Sequence, residues 1–315
     1  AQAKRLGIDH VMWYDEKMVF PDGNAEPAGD DAFMVKTAQK MYHEISPETG
    51  EFIDFMIDHE LMDLQNKPGK ASTGYMTSLP SLKAPFVFSC FNHTIFDMQV
   101  LTHELGHAFA GYMAMRSQPI SGYYSETTDI AEIHSMSMEQ FAYPYAQWFF
   151  GDQADKFRFA HLQEALTFVP FGVAVDEFQH ICYANPQLTP KERTYQWRLL
   201  EEKYMPWRRY DNDAFMERGG YWYHKLHIYL YPFYYINYTL TTMGAMEFKK
   251  KYAEDKATAW QNYLKLCKTG GSRSYLETLR YAELSNPFED GSVARAGGYA
   301  EEILLKQIAQ QEKNA

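Results

Sequence analysis

The stretch THELGHAF, Thr102–Phe109, places two histidines four residues apart and a glutamate directly after the first. On an α-helix, residues four apart lie on one face, one turn above the other, so the imidazoles of His103 and His107 point the same way. This HExxH pattern is typical of two zinc ligands, with Glu104 as the general base that acts on a metal-bound water. The stretch therefore predicts a helix that carries one Zn²⁺ ion and a carboxylate for catalysis.

The helix around this motif is long. Apolar residues recur through residues 95–116, IFDMQVLTHELGHAFAGYMAMR, and Pro119 prevents the helix from continuing. Gly106, between the two histidines, costs such a helix about 1 kcal/mol relative to alanine. We therefore expect another segment to pack closely against the helix at that point.

A catalytic zinc site needs a third protein ligand and one open position for water. A histidine six residues after His107 is excluded, because that position is Met113. Two downstream glutamates remain: Glu126, 19 residues after His107, and Glu132, 25 residues after it. Glu126 lies on the approach to a predicted helix and Glu132 lies within it, and the spacing alone leaves both open.

The composition excludes several classes of function. The 315 residues carry a formal net charge of −11 and no concentrated basic patch, which argues against a nucleic-acid partner. Aromatic residues make up 16% of the chain, which predicts a cleft with much ring surface. No apolar run approaches the roughly 18 residues of a membrane span, so no membrane partner is expected. The three cysteines lack CxxC spacing, which favours a reducing compartment and a cytoplasmic protein.

The remaining patterns predict a mainly α fold with one small β-sheet. Residues 1–30 look irregular, residues 66–85 read as a loop rich in Gly and Pro, and the apolar run PFVFSCFN at 85–92 predicts a strand. Because the candidate site residues span 103 to 238, we expect one catalytic domain over residues 1–315. Helical patterns cover residues 31–65 with a break at SPETG, 128–150 with a break at Pro144, 153–185, 190–205, 247–266 and 299–311.

Three stretches together resemble a known family. HELGHAF followed by TTDIAEIHSMSMEQF, TGYMTSLPSLKAPFVFSCFN before it and HIYLYPFYYINYTL after it cover most of residues 70–245. They are similar to the oligoendopeptidase F branch of the thimet-oligopeptidase-like zinc metallopeptidases. In that family the third zinc ligand is the glutamate of the second motif, which implies Glu132 here.

The same resemblance implies a zincin-type helical fold, with the small sheet bordering a deep, narrow cleft that admits only short, unstructured peptides. Members of the family also carry a long helical N-terminal region that forms the opposite wall of the channel. This chain begins too close to HELGH to contain all of that region. We therefore expect it to be the C-terminal, catalytic part of a longer architecture.

Other residues near the second motif have expected roles. Glu139 follows Glu132 by seven residues and shares its helix face, so we expect it to accept a hydrogen bond from a ligand imidazole and fix its tautomer. Asp129 is interpreted as a residue of the helix start. His134 follows Glu132 by two residues, points elsewhere on a helix, and is not expected to bind the metal.

An aromatic segment follows much later in the chain. His227, Tyr231, Tyr234 and Tyr238 are spaced 4, 3 and 4 residues apart, which places them on one face if the segment is helical. Pro232 suits the first turn of a helix rather than its interior. We therefore expect a helix to begin near Pro232, with His227 on the approach to it.

The family resemblance implies a histidine and a tyrosine that stabilise the oxyanion formed during peptide hydrolysis. Imidazole and phenol donors aimed at that oxygen act most strongly in the transition state. His227, Tyr234 and Tyr238 are the favoured residues, and Tyr231 and Tyr235 compete with them. For any one of these tyrosines, membership of an aromatic core is the alternative interpretation.

The predicted strand at 85–92 is a candidate edge for substrate. An extended peptide can add to a strand edge through main-chain hydrogen bonds, with little sequence preference. Gly74 and Tyr75 in the preceding loop are candidates to close over the peptide, and Phe88 is a candidate contact on the strand. The alternative is a strand buried inside the sheet.

These observations predict a zinc-dependent metallopeptidase that cleaves short oligopeptides by direct attack of metal-activated water, with no acyl-enzyme. The alternative is a catalytically silent module that binds peptide or metal and lacks a complete cleft. A third interpretation is a helical scaffold in which HELGH is coincidental. The expected partners are short peptides and the N-terminal region of the same protein.

Overall fold

The structure, a computed structural model, describes residues 1–71 and 73–314, except for the side chains of residues 312–314. The mainly α fold with one small sheet is confirmed. In the described residues, no helix has the length and apolar character needed to cross a bilayer. The helices are α1 Gln2–Leu6, α2 Asp31–Ile45, α3 Pro47–Asp58, α4 Ile95–Ser117, α5 Thr128–Ala142, α6 Ala146–Phe150, α7 Ala154–Ala184, α8 Pro190–Tyr204, α9 Ala214–Glu217, α10 Leu226–Leu230, α11 Ile236–Glu254, α12 Lys256–Thr269, α13 Tyr275–Tyr281 and α14 Ser292–Asn314.

Backbone contacts divide the chain into two compact units. The larger unit comprises Ala25–Phe159 and Thr241–Glu302, and the smaller comprises Ala1–Asn24, Ala160–Leu240 and the chain from Ile303. The HExxH helix α4, the helix α5 and the sheet lie in the larger unit, whereas the aromatic segment lies in the smaller. The single catalytic domain expected over residues 1–315 remains a prediction.

The helix α4 is the centre of the larger unit. It begins and ends within one residue of the predicted bounds, and buried residues lie on all of its faces, as in a core helix. Thr94 caps its start, because the side-chain oxygen accepts a hydrogen bond from the backbone N–H of Phe96 at 3.4 Å. Phe109 packs between Phe52, 5.4 Å away, and Tyr263, 6.3 Å away between ring centroids.

The sheet has three strands in the order β1-β3-β2: β1 Met62–Asp63, β2 Tyr75–Leu79 and β3 Ala84–Phe88. The predicted strand at 85–92 corresponds to β3, which ends earlier and lies between parallel β1 and antiparallel β2. Its assignment as the free edge is therefore wrong, because β2 is the outer strand on that side. The sequence patterns did not predict β2, because Gly and Pro surround it and none of its side chains is fully buried. Its side chains alternate between exposed and half-buried.

Three further helix predictions need correction. The break expected within residues 31–65 lies at Ser46, between α2 and α3, but the second helix ends at Asp58, earlier than predicted, and β1 follows. The helix expected near Pro232 begins at Ile236, because residues before it form a turn in which Phe233 has a φ of 62°. The N-terminal region expected to be irregular contains the short α1. The break at Pro144 is confirmed, since α5 ends at Ala142 and a 3₁₀ turn precedes α6.

The smaller unit has an aromatic core of its own. Phe178 of α7 lies 5.4 Å from Trp197 of α8 and 4.8 Å from Trp222, between ring centroids. Tyr235 joins this cluster and is 6% exposed. Large rings contribute most of the apolar area that such a core buries. The aromatic richness of the sequence is thus used partly for packing.

Candidate metal centre

His103, His107 and Glu132 form one group in the larger unit. The rings of His103 and His107 lie one turn apart on α4, with centroids 4.9 Å apart. The Oε2 atom of Glu132 lies 3.1 Å from Nε2 of His103 and 3.4 Å from Nε2 of His107. Each side chain offers one ligand atom, and these atoms all lie within 4.8 Å of one another. Two imidazoles and one carboxylate are a donor set that fits a zinc ion with one position left open.

Gly106 lets α5 approach α4 closely enough to build this group. A Cβ placed on Gly106 would lie 2.7 Å from Cα of Ser135 and 3.0 Å from the carbonyl oxygen of His134. Both atoms belong to the backbone of α5, so no side-chain rotation relieves the contact. The close packing that the sequence predicted at Gly106 is confirmed, and it brings Glu132 of α5 to the histidines.

Glu139 contacts the far side of the first histidine. Its Oε1 lies 2.6 Å from Nδ1 of His103, the contact expected from the sequence. When Nδ1 donates its proton to Glu139, the lone pair of Nε2 faces Glu132 and the metal group. Ser135 supports the third ligand, because its hydroxyl donates to Oε2 of Glu132 at 3.1 Å. Sequence reasoning missed Ser135, although its spacing of three residues from Glu132 on α5 is a usable signal.

Charge and burial shift the titration of this group. Burial alone would lower the pKa of His103, but its hydrogen bonds to Glu132 and Glu139 raise this pKa well above its ordinary value. Burial alone would raise the pKa of Glu132, yet hydrogen bonds from His103 and His107 hold it far below the usual range. A carboxylate that stays ionised is the form that binds a cation.

Glu104 is placed differently from the other acidic residues. It is 7% exposed, and its Oε2 atom accepts no hydrogen bond from the described residues. Burial raises the pKa of Glu104. Such a shift brings the pKa of a carboxylate closer to neutral pH, where the group can both take and return a proton.

The rival third ligand has another partner. Glu126 lies with Oε1 3.1 Å from Nδ1 of His134, and the His134 side chain is 1% exposed. Neither residue belongs to the group of potential metal ligands. The structure therefore brings Glu132, rather than Glu126, to the two histidines, and His134 points elsewhere as expected. Asp129 lies in the first turn of α5, also as expected.

The substrate-contact candidates lie at one end of the sheet. Tyr75 begins β2 and pairs with Phe88 of β3, and their rings stack at 5.0 Å and 17°. Gly74 comes directly before Tyr75 and lies against the HExxH helix. A Cβ placed on Gly74 would lie 3.2 Å from Oε1 of Glu104 and 3.2 Å from Cγ1 of Val100. The start of β2 thus adjoins the carboxylate of Glu104.

The oxyanion candidates cluster in the smaller unit, and His227 lies before the helix α11, as expected. The ring centroid of His227, on α10, lies 6.0 Å from that of Tyr234 and 6.1 Å from that of Tyr238. Tyr231 is 6.4 Å from His227 and largely exposed. Tyr235 is buried, and its hydroxyl accepts a hydrogen bond from Lys225 at 3.1 Å.

Comparison with known proteins identifies the family of this chain. The sequence model of Peptidase family M3 matches residues 35–297, so the chain belongs to that family. The resemblance to its oligoendopeptidase F branch is confirmed by the relatives described next.

Three known proteins are similar to this chain over part of their length. A solved structure of PZ peptidase A with inhibitor 2 is 49% identical, has a TM-score of 0.92, and matches 97% of this chain and 54% of its own. An oligoendopeptidase F homolog of Borreliella burgdorferi is 24% identical over 234 residues, which are 71% of this chain and 38% of the relative. Oligopeptidase PepF of Bacillus subtilis is 22% identical over 295 residues, or 89% and 42% of the two chains. The chain thus spans about half the length of these relatives or less.

Proposed function

We propose that this chain is a zinc-dependent peptidase that hydrolyses short oligopeptides. The observation that carries the proposal is the group of His103, His107 and Glu132 beside Glu104, a buried carboxylate with an oxygen that accepts no hydrogen bond from the described residues. Such an oxygen is costly unless a ligand or substrate uses it. One zinc ion per chain fits the three donors.

Each residue of the group has a proposed part in the reaction. His103, His107 and Glu132 would hold the zinc ion, which would supply a Lewis acid and lower the pKa of water at the site to about 7. Glu104 takes a proton from the attacking water and delivers it to the leaving amine, so no acyl-enzyme forms. Glu139 holds His103 in the tautomer that keeps Nε2 free for the metal.

The proposed substrate lies along the outer strand of the sheet. The free edge of β2 offers main-chain groups to an extended peptide, and Tyr75 stacked on Phe88 offers a ring surface at its start. Main-chain pairing needs an unfolded substrate, which favours short peptides. The cysteines are unpaired, which supports the proposal of a reducing, cytoplasmic location.

His227, Tyr234 and Tyr238 are proposed to stabilise the oxyanion. Burial lowers the pKa of His227, and the nearby charge of Lys225 lowers it further, so the imidazole is neutral at pH 7 and carries one N–H donor. Tyr235 suits this role less well, because its hydroxyl is already bonded to Lys225. Tyr231 remains a competitor through its ring contact with His227.

A second candidate function is a silent module that binds peptide or metal without cleavage. It is favoured by one observation: the chain spans 54% of the length of PZ peptidase A. In that case cleavage needs groups that lie outside residues 1–315, and the proposed partner is the N-terminal region that the family resemblance implies.

Zinc analysis combined with a fluorogenic-peptide assay distinguishes the two functions. We expect one zinc per wild-type chain and cleavage that a chelator abolishes and added zinc restores. Glu104→Gln should keep its zinc and lose cleavage, whereas the exposed control Glu254→Gln should keep both. Zinc without cleavage in the wild-type protein supports the silent module. Full activity in Glu104→Gln contradicts the assignment of the general base.

A further inference from the structure

Lys70 is buried in a way that lysine seldom is. Its side chain is 3% exposed. The ammonium group donates to the carbonyl oxygen of Asp63 at 2.9 Å, to Oδ1 of Asp63 at 3.0 Å and to the carbonyl oxygen of Gln65 at 2.9 Å. These bonds use the three donors of the ammonium group. Lysine is almost never fully buried unless its charge is paired in this way.

The contacts of Lys70 lie at one end of the sheet. Asp63 is the last residue of β1 and pairs with Phe88, the last residue of β3. The ammonium group of Lys70 also lies 4.4 Å from the ring centroid of Phe88, within the range of a cation–π contact. Lys70 therefore ties β1 and β3 together at a single point.

The same point sets where β2 begins. Phe88 pairs with Tyr75, and their rings stack at 5.0 Å. Directly before Tyr75, Gly74 leaves so little space that a Cβ there would lie 3.2 Å from Oε1 of Glu104. A continuous set of contacts thus runs from Lys70 through Phe88 and Tyr75 to the proposed general base.

We propose that Lys70 is a positioning residue for peptide hydrolysis, because it fixes the start of the free β2 edge relative to Glu104. The inference rests on the proposed peptidase function. A peptide paired with β2 has its scissile bond aligned with Glu104 only while that edge is held in place. A displacement of about 1 Å in such a geometry can lower the rate by about 100-fold.

The test compares Lys70→Met with Lys67→Met in the zinc-loaded protein. Methionine keeps most of the length of Lys70 and removes its three donors. Lys67 is the matched control, since it lies in the same loop, reaches the same Asp63 at 3.4 Å, and is 58% exposed. We measure kcat, KM, zinc content and melting temperature for both variants.

We expect Lys70→Met to lower kcat at least tenfold, with KM within about twofold of wild type and with zinc content unchanged. A loss in kcat without a loss of zinc is expected because the metal ligands on α4 and α5 do not touch Lys70. Lys67→Met should match the wild-type protein. Equal kcat in the two variants overturns the inference.

A milder variant, Asp63→Asn, tests the same inference if Lys70→Met does not fold. Asp63→Asn keeps the size of the side chain and the backbone carbonyl, and we expect a smaller loss of kcat at unchanged KM. If kcat is unchanged in Asp63→Asn, or falls only in step with melting temperature and zinc content, the positioning role is refuted. Inactivity of zinc-loaded wild-type protein instead contradicts the proposed function itself, and with it the reaction that Lys70 is proposed to serve.

Discussion

Gly106 of α4 lies directly against Ser135 of α5: a Cβ on the glycine would be 2.7 Å from Cα of the serine. Three residues before Ser135, Glu132 reaches both histidines of α4. The position of Glu132, the third proposed ligand, therefore depends on how closely α4 and α5 pack at Gly106, which is not itself a ligand.

Gly106→Ala tests this dependence. Alanine favours the helix by about 1 kcal/mol, whereas forcing a methyl group against the backbone of α5 costs about 1–3 kcal/mol. The steric effect should dominate, so we expect lower stability and weaker zinc binding. Thermal unfolding and zinc titration measure both. The control is Gly298→Ala in α14, where a Cβ meets nothing within 4 Å and a small gain in stability is expected. Unchanged zinc affinity in Gly106→Ala would refute the packing argument.

Glu139→Gln tests the support of His103. The amide keeps the shape of the carboxylate and removes its charge, so the imidazole becomes a weaker ligand. Loss of such an outer partner lowers metal affinity by about 10–100-fold. Competition with a zinc chelator measures the change. Asp129→Asn, which changes a half-buried carboxylate on the same helix outside the metal group, should leave the affinity at the wild-type value. A Glu139→Gln variant with the affinity of Asp129→Asn would contradict the prediction.

His227→Ala tests the proposed oxyanion donor. Removing one donor from such a site lowers kcat by about 10²–10³-fold. We expect that loss with zinc content unchanged, because His227 is not one of the metal-group residues. Tyr235→Phe serves as the control, since the Tyr235 hydroxyl is bonded to Lys225, and it should retain kcat within a few-fold. A small effect of His227→Ala would remove this residue from the mechanism.

Lys249 predicts a pH dependence of stability. Burial lowers its pKa to about 7, against an unfolded value near 10.5, although its ammonium group lies 3.2 Å from the ring centroid of Tyr143. The folded state thus binds fewer protons between pH 7 and 10.5, and stability should rise with pH across that window, by up to about 1.4 kcal/mol per unit. Below pH 7 both states are protonated and the full penalty of burying the charge applies.

Denaturant unfolding of wild type and Lys249→Met from pH 6 to 9 measures this slope. The methionine variant should lose the rise above pH 7 and be more stable than wild type below it. Lys250→Met, the exposed neighbour, should keep the wild-type slope. Parallel stability curves for wild type and Lys249→Met would show that Lys249 titrates alike in the folded and unfolded protein.

Sequence alone predicted the parts of the site that depend on local periodicity. The bounds of α4, the pairing of His103 with His107, and the contact of Glu139 with an imidazole all follow from the helical repeat. The choice between Glu126 and Glu132 did not follow, because it depends on how α5 is laid against α4. Family resemblance, rather than spacing, favoured Glu132.

Features that depend on tertiary contacts were missed. The strand β2 forms through pairing with β3, although Gly74 before it and Pro80 after it suggested a loop. The sequence around Lys70 is typical of an exposed, charged loop residue, and its burial is seen only in the folded structure. The turn before Ile236 depends on the positive φ of Phe233, which the sequence did not indicate.

The central claim is that His103, His107 and Glu132 bind one zinc ion, and zinc titration of Glu132→Gln beside Glu126→Gln tests it most directly. Both changes replace a carboxylate with an amide, on side chains that are 8% exposed at Glu132 and 11% exposed at Glu126, so they are matched in chemistry. We expect one zinc per wild-type chain, near-normal affinity in Glu126→Gln, and a loss in Glu132→Gln greater than the roughly 100-fold limit for outer partners. Wild-type affinity in Glu132→Gln, or loss of zinc only in Glu126→Gln, would contradict the claim.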